Sequence, residues 1–90
     1  MEMKWTKREA AAYRAMEKAM AIFARDERLV LVDERGGGQI EFKKVGPTIL
    51  RKDVMSDGRE VLERDVPLTA VELAVFRALL DGWKVLIVRR

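Results

Sequence analysis

Apolar side chains recur at helical spacing near both ends of the chain. Projected at about 100° per residue, residues 6–25 form an amphipathic helix whose start carries the capping-box pair Thr6 and Glu9. Its apolar face is predicted to comprise Ala12, Tyr13, Met16, Ala19, Met20 and Phe23. A second helix is predicted to begin at another capping box, Thr69 and Glu72, and to end at Gly82, a residue that readily adopts the left-handed conformation.

The segments between and after these helices have the patterns of short strands. Residues 28–34 and 85–88 are apolar on both faces, which is typical of strands that need cover from elsewhere. Alternation predicts three further strands at residues 39–45, 48–54 and 59–66. Glycine-containing turns separate them at residues 36–38, 46–47 and 56–58.

The order of these elements predicts one α+β domain spanning residues 1–90. The order is α-β-β-β-β-α-β, with an antiparallel or mixed sheet and two helices on one face. The triple glycine at residues 36–38 is interpreted as a hairpin connection, because no phosphate-binding glycine pattern surrounds it.

Composition excludes several kinds of chemistry. The chain has no cysteine and no histidine, so disulfides, thiolate metal sites and Ser-His triads are excluded, and we expect no cofactor. No apolar run approaches the length of a membrane span, which predicts a cytoplasmic protein that does not enter a membrane. A charged fraction of 37%, one glutamine and no asparagine favour a thermophilic source.

Basic residues are concentrated in separate segments, which favours a non-catalytic protein that binds nucleic acid as a homodimer. Residues 39–59 carry five basic and three acidic groups within a net charge of +3 for the chain. Cations on neighbouring strands can follow a phosphate backbone, and an exposed ring can stack on unpaired bases. The predicted contact residues are Lys43, Lys44, Arg51, Lys52, Arg59 and Trp83. Phe42 and Trp5 are further candidate rings, although the alternation of Phe42 with Ile40 favours the core for Phe42.

A resemblance in layout supports the same prediction. The stretch from RLVLVDERGGGQIEF to PLTAVELAVFRALL, about residues 28–81, resembles the small single-stranded-DNA-binding proteins of thermophilic archaea and coactivators of the positive-cofactor-four type. The resemblance implies a dimer that binds unpaired strands. It assigns no contact residue.

An enzymatic alternative is a magnesium-dependent nuclease. The stretch ARDERLVLVDERGGGQIEFKK is similar to the D…E-x-K signature of restriction-type nucleases, with Asp26 or Asp33 as the aspartate and Glu41 and Lys43 as the E-x-K pair. Two carboxylates would hold Mg²⁺ and the lysine would steady developing charge. Two departures are the missing strand before Asp26 and the extra hairpin after Lys43.

A third hypothesis is an oligomeric accessory protein without nucleic-acid binding. Ala70, Ala74 and Ala78 form a smooth helix flank, and the last strand could pair across a two-fold axis. The nucleic-acid hypothesis depends on folding that gathers the cations into one patch. If they are instead dispersed and paired with carboxylates, a self-associating scaffold is the better description.

Overall fold

The computed structural model describes residues 4–25 and 28–88, and it confirms the predicted α+β class and element order. The helices are α1 (Lys7–Phe23) and α2 (Leu68–Leu80). The strands are β1 (Arg28–Val32), β2 (Gln39–Val45), β3 (Thr48–Val54), β4 (Glu60–Glu63) and β5 (Lys84–Val88). Neither helix in the described part of the chain has the length and apolarity needed to cross a bilayer.

The five strands form one antiparallel sheet in the order β4-β3-β2-β1-β5. Strands β2, β3 and β4 follow one another as hairpins, whereas β5 returns through α2 to pair with β1. Strand β1, whose sequence is apolar on both faces, lies inside the sheet. The short strands β4 and β5 form the two edges.

Both helices cover the same face of the sheet. One core cluster joins Met16 and Phe23 of α1, Val71 and Val75 of α2, and strand residues on that face. The strand residues are Leu29, Leu31, Phe42 and Ile49, with Ile40, Val85 and Ile87 packed beside them. We call this the helix face. Because side chains alternate along a strand, the intervening residues point to the opposite side, which we call the open face.

The start of α1 has the predicted capping box. The backbone amide of Thr6 donates to the Glu9 carboxylate at 3.0 Å, and the Glu9 amide donates to the Thr6 hydroxyl at 3.1 Å. These two bonds satisfy donors that the first helical turn leaves without a partner. The hydrogen bond from the Thr6 backbone lowers the pKa of Glu9. The hydrogen bond with the Thr6 side chain lowers it further, by a smaller amount.

The predicted capping box at the start of α2 is wrong. The N-cap is Pro67, and no side chain caps this helix. Proline is already held near the φ of −69° that the structure shows here, so the helix begins one residue before Thr69. The carbonyl oxygen of Pro67 accepts bonds from Ala70 and Val71, which leaves Thr69 inside the helix, where its hydroxyl cannot act as a cap.

Gly82 ends α2 as predicted. Its φ of 79° is the left-handed conformation that glycine adopts without a Cβ clash. The amide of Gly82 bonds to the carbonyl of Leu79 at 3.3 Å, and the amide of Trp83 bonds to the carbonyl of Ala78 at 2.8 Å. These two bonds form a Schellman motif, which directs the chain from α2 into β5.

The difference between the two helix starts predicts different effects of removing a threonine. Thr6→Ala is expected to lower the free energy of unfolding by about 1 kcal/mol, because it removes a capping hydroxyl. Thr69→Ala is the matched control and should have little effect, because Thr69 does not cap α2. Urea unfolding of both variants checks this, and equal losses would contradict the assigned helix starts.

The same cap predicts a pH dependence. Since the pKa of Glu9 is lower in the folded protein, the Glu9 contribution to stability is present above the pKa of the unfolded chain. It is lost as the pH falls through the folded pKa. The stability difference between wild type and Glu9→Gln should therefore shrink in acid, which unfolding at a series of pH values measures.

Candidate interaction surface on the open face

The open face is arranged in rows that follow directly from the strand register. The central row runs across all five strands from β4 to β5 and contains Leu62, Lys52, Glu41, Val30 and Leu86. The next row, in the same strand order, contains Glu60, Val54, Gln39, Val32 and Lys84. On the other side of the central row lie Leu50, Lys43, Arg28 and Val88.

Half of the positions on this face are aliphatic, even though no helix of the described residues covers it. Leu62 on one edge strand and Leu86 on the other are 53% and 44% exposed, whereas the central Val30 is 8% exposed. The remaining aliphatic positions on the face are Val45, which is 47% exposed, and Val32, Leu50, Val54 and Val88, all partly buried. A sheet of this kind normally turns its uncovered side to water with polar residues. The composition of the open face therefore indicates a contact surface.

The charged residues of the open face are unevenly balanced. Four cations lie on it, Arg28, Lys43, Lys52 and Lys84, against the two carboxylates of Glu41 and Glu60. A long contact of 3.8 Å joins Arg28 to Glu41. Lys84 lies 3.1 Å from Glu34, which follows β1. The face thus combines aliphatic residues with a modest excess of positive charge.

The predicted nucleic-acid contacts do not lie on one surface. Lys43 and Lys52 lie on the open face, while Lys44 and Arg51 alternate to the helix face. The Lys44 amine lies 5.2 Å from the centroid of the Phe23 ring, and the Arg51 guanidinium lies 5.7 Å from that of Phe42. The structure therefore divides these four cations into two pairs on opposite sides of the sheet.

Two of the predicted contact residues are engaged by neighbouring carboxylates. Arg51 forms an ion pair with Asp53 at 2.8 Å, with a second hydrogen bond at 3.3 Å. Arg59, in the turn before β4, pairs with Asp57 at 2.7 Å. Each carboxylate partly neutralises its arginine, which weakens the attraction of that arginine for a polyanion.

No aromatic ring lies on the open face, although the structure describes all six aromatic residues of the chain. Phe23 and Phe42 are fully buried in the core. Trp5 packs against Tyr13 and Phe76 on the helices, with ring centroids 5.1 and 5.5 Å away. Trp83 is half-buried against the core cluster. A nucleic acid on this face would thus be held through its phosphates rather than by stacked bases.

The candidate nuclease residues are only partly brought together. Glu41 and Lys43 share the open face of β2, but Glu41 already contacts Arg28. The Asp33 carboxylate accepts hydrogen bonds from the amides of Arg35 and Gly36, as a turn residue does. Asp26 lies outside the described residues. Within residues 4–25 and 28–88, no three acidic side chains are placed to hold a metal ion.

A cavity of about 340 Å³ lies on the other side of the sheet, between α2 and β3. Its apolar walls include Ile40 and the alanine flank of α2, and Trp83 borders it. Two arginines, Arg51 and Arg77, line the cavity, but Asp81 also lines it and Asp53 pairs with Arg51. Because these two arginines are balanced by two carboxylates, the cavity favours neither anionic nor cationic ligands.

No protein-family model, curated protein or solved structure matches this chain. Sequence reasoning missed the open face as a surface, and it named neither Leu62 nor Leu86 as a functional residue. The available signal was that the segments forming β1 and β5 are apolar on both faces, whereas helices cover only one.

Proposed function

We propose that the protein is a non-catalytic accessory protein that self-associates through the open face of its sheet. The observation that carries this proposal is the set of eight aliphatic residues on a sheet face that lacks cover within the described chain. Large exposed apolar patches mark contact sites, and two sheets pack well face to face. The dispersal of the predicted cations points in the same direction.

The dimensions of the open face favour a partner that covers all of it. Five strands at about 4.8 Å spacing, each with about five residues in register, give a flat area near 400 Å². A stable interface buries about 800 Å² of accessible surface on each partner, about twice this flat area, and the relief of the side chains supplies the additional surface. A contact limited to one corner of the sheet would be too small. The whole face, including both edge strands, must take part.

Sedimentation velocity over a wide concentration range tests the proposal. We expect a species larger than one chain that persists on dilution and in high salt, because burial of apolar surface drives the association. A single-chain mass at every concentration would overturn the proposed function.

Nucleic-acid binding is the second candidate, and the excess of cations on the open face is the observation that favours it. In this case Lys43→Glu/Lys52→Glu should weaken binding to single-stranded oligonucleotides by at least about tenfold, with affinity falling steeply as salt rises. Fluorescence anisotropy measures both effects. The matched control is Lys7→Glu/Lys18→Glu, which reverses two exposed charges on α1 away from this face. Equal weakening by both pairs would contradict a site on the open face.

The two candidates use the same surface and predict opposite responses to oligonucleotide. If phosphates occupy the open face, added oligonucleotide should dissociate the self-associated species. If the face is covered only by protein, the mass should remain unchanged at moderate salt. One sedimentation series with and without oligonucleotide therefore separates the candidates.

A further inference from the structure

We infer that the partner on the open face is a second copy of this chain, related by a two-fold axis parallel to the strands, with Glu60 of each copy against Lys84 of the other. This inference rests on the proposed function and specifies its geometry. It follows from the order of the strands and from the positions of charged and apolar residues within the rows.

The strand order limits how two copies can overlap completely. Strand β2 is the middle strand of the sheet, with β3 and β4 on one side and β1 and β5 on the other. A two-fold rotation about an axis parallel to the strands keeps each row at the same position along the strand direction. It exchanges the β3–β4 half of the sheet with the β1–β5 half. It therefore lays β4 of one copy over β5 of the other, β3 over β1, and β2 over its own counterpart.

This overlap brings opposite charges together at both edges. Glu60 and Lys84 are the two ends of one row, linked across the sheet by Val54, Gln39 and Val32. Within one chain they are four strand spacings apart, about 19 Å, so they do not interact strongly. After the rotation, each Glu60 faces Lys84 of the second copy. The dimer contains this pair twice, as a two-fold interface requires.

The same overlap places apolar residues against each other. Leu62 and Leu86 are the two ends of the central row, so each Leu62 faces Leu86 of the second copy. In the neighbouring row, Val54 faces Val32 in the same way. The two most exposed leucines of the open face thus cover one another, which removes apolar surface from water at both edges.

Like charges meet only near the axis, where opposite charges surround them. Each Glu41 faces its counterpart, but Arg28 lies 3.8 Å from it in the same chain, and Lys52 is its direct neighbour on β3. Lys43 also faces its counterpart. Its side chain is exposed, and only the Val45–Thr48 row separates it from the β2–β3 turn, so the amine can extend to solvent while the stem stays on the sheet.

A two-fold axis across the strands gives a poorer fit. Centred on the central row, it lays each strand over itself in the reverse direction, so Lys52 meets Lys52 and Glu41 meets Glu41. Strand β4 of one copy then lies over β4 of the other, and β5 over β5, so Glu60 is separated from Lys84. Each axis brings two like-charged pairs together, so the pairing of Glu60 with Lys84 at both edges selects the axis parallel to the strands.

Charge reversal with complementation tests this geometry. Glu60→Lys alone should place two lysines at each edge, and Lys84→Glu alone should place two glutamates there. We expect each variant to raise the dissociation constant of the dimer by about tenfold. An equal mixture of the two variants should recover wild-type affinity as a heterodimer, because each edge again pairs opposite charges. Sedimentation equilibrium of each variant and of the mixture measures this.

Two controls isolate the effect between copies. Lys84→Glu also removes the contact of 3.1 Å with Glu34, so Glu34→Gln breaks the same contact without reversing the edge charge. It should leave the dissociation constant unchanged. Lys18→Glu reverses an exposed charge on α1, outside the open face, and should also have no effect. Thermal unfolding of every variant checks that the domain remains folded.

The outcomes separate the inference from the proposed function. A monomeric wild-type protein overturns both. A wild-type dimer that the single charge reversals leave unchanged, or that the mixture does not restore, overturns the two-fold geometry while self-association stands. Weakening by both single variants together with recovery in the mixture supports the pairing of Glu60 with Lys84 between copies.

Discussion

Under the proposed self-association, replacing Leu62 and Leu86 together by glutamate is expected to yield a folded monomer. Both side chains are about half exposed in the single chain, at 53% and 44%, so the carboxylates should cost the isolated fold little. In the dimer, four carboxylates would be taken out of water against apolar neighbours, at several kcal/mol per ion. The dissociation constant should rise by at least about a thousandfold. Sedimentation velocity or light scattering measures the loss of the larger species.

Leu73→Glu is the matched control for this experiment. Leu73 is 54% exposed, as Leu62 is, but it lies on α2, away from the open face. Its replacement should leave the mass unchanged, which separates loss of a specific surface from a general gain in charge. If Leu73→Glu dissociates the protein as strongly as Leu62→Glu/Leu86→Glu does, the association uses another surface.

Phe42→Ala is expected to cause the largest loss of stability among these variants. The Phe42 side chain is fully buried, and it belongs to the cluster that joins both helices to the sheet. Its removal should lower the free energy of unfolding by about 3 to 5 kcal/mol, which combines lost burial with the cavity left behind. This is a large share of the roughly 5 to 15 kcal/mol that stabilises a typical domain. Urea unfolding should show a lower midpoint with an unchanged slope.

Tyr13→Ala provides the comparison for Phe42→Ala. Tyr13 is 42% exposed and packs its ring against Trp5 and Phe76 at the surface of the helices. Tyr13→Ala should lower the free energy of unfolding by clearly less than Phe42→Ala does, because the atoms that it removes are already partly hydrated. A stacking ring on a nucleic-acid surface would likewise be removed at little cost to stability. If Phe42→Ala were no more destabilising than Tyr13→Ala, the position of Phe42 in the core would be wrong.

Local patterns predicted most of the secondary structure. The bounds of β2 and β3 agree with the alternation of the sequence, and α1 begins immediately after the predicted cap, Thr6. These features depend on neighbours within about four residues, which the sequence displays directly. The predicted start of α2 was wrong because two local signals, the proline at residue 67 and the capping-box pattern at Thr69, compete there. Pro67, with its restricted φ, is the N-cap residue, so Thr69 lies within the first turn and cannot cap the helix.

The candidate site was less predictable, because it depends on which strands are neighbours. Alternation alone separates Lys43 from Lys44 and Arg51 from Lys52, so one predicted patch could not contain all four. Only the register shows that Lys43 and Lys52 share the open face, whereas Asp53 shares the face of Arg51 by simple alternation along β3. The relation between Glu60 and Lys84 depends on β4 and β5 becoming the two edges of one sheet.

By itself, the sequence determined the type and order of the elements, the α+β class and the exclusion of cysteine and histidine chemistry, because these follow from composition and short-range periodicity. Only the tertiary structure decided which apolar strand faces the helices cover and which stay open. It also decided the ion pairs of Arg28 with Glu41 and of Lys84 with Glu34. Those outcomes depend on contacts between residues far apart in the chain, and no short-range pattern encodes them.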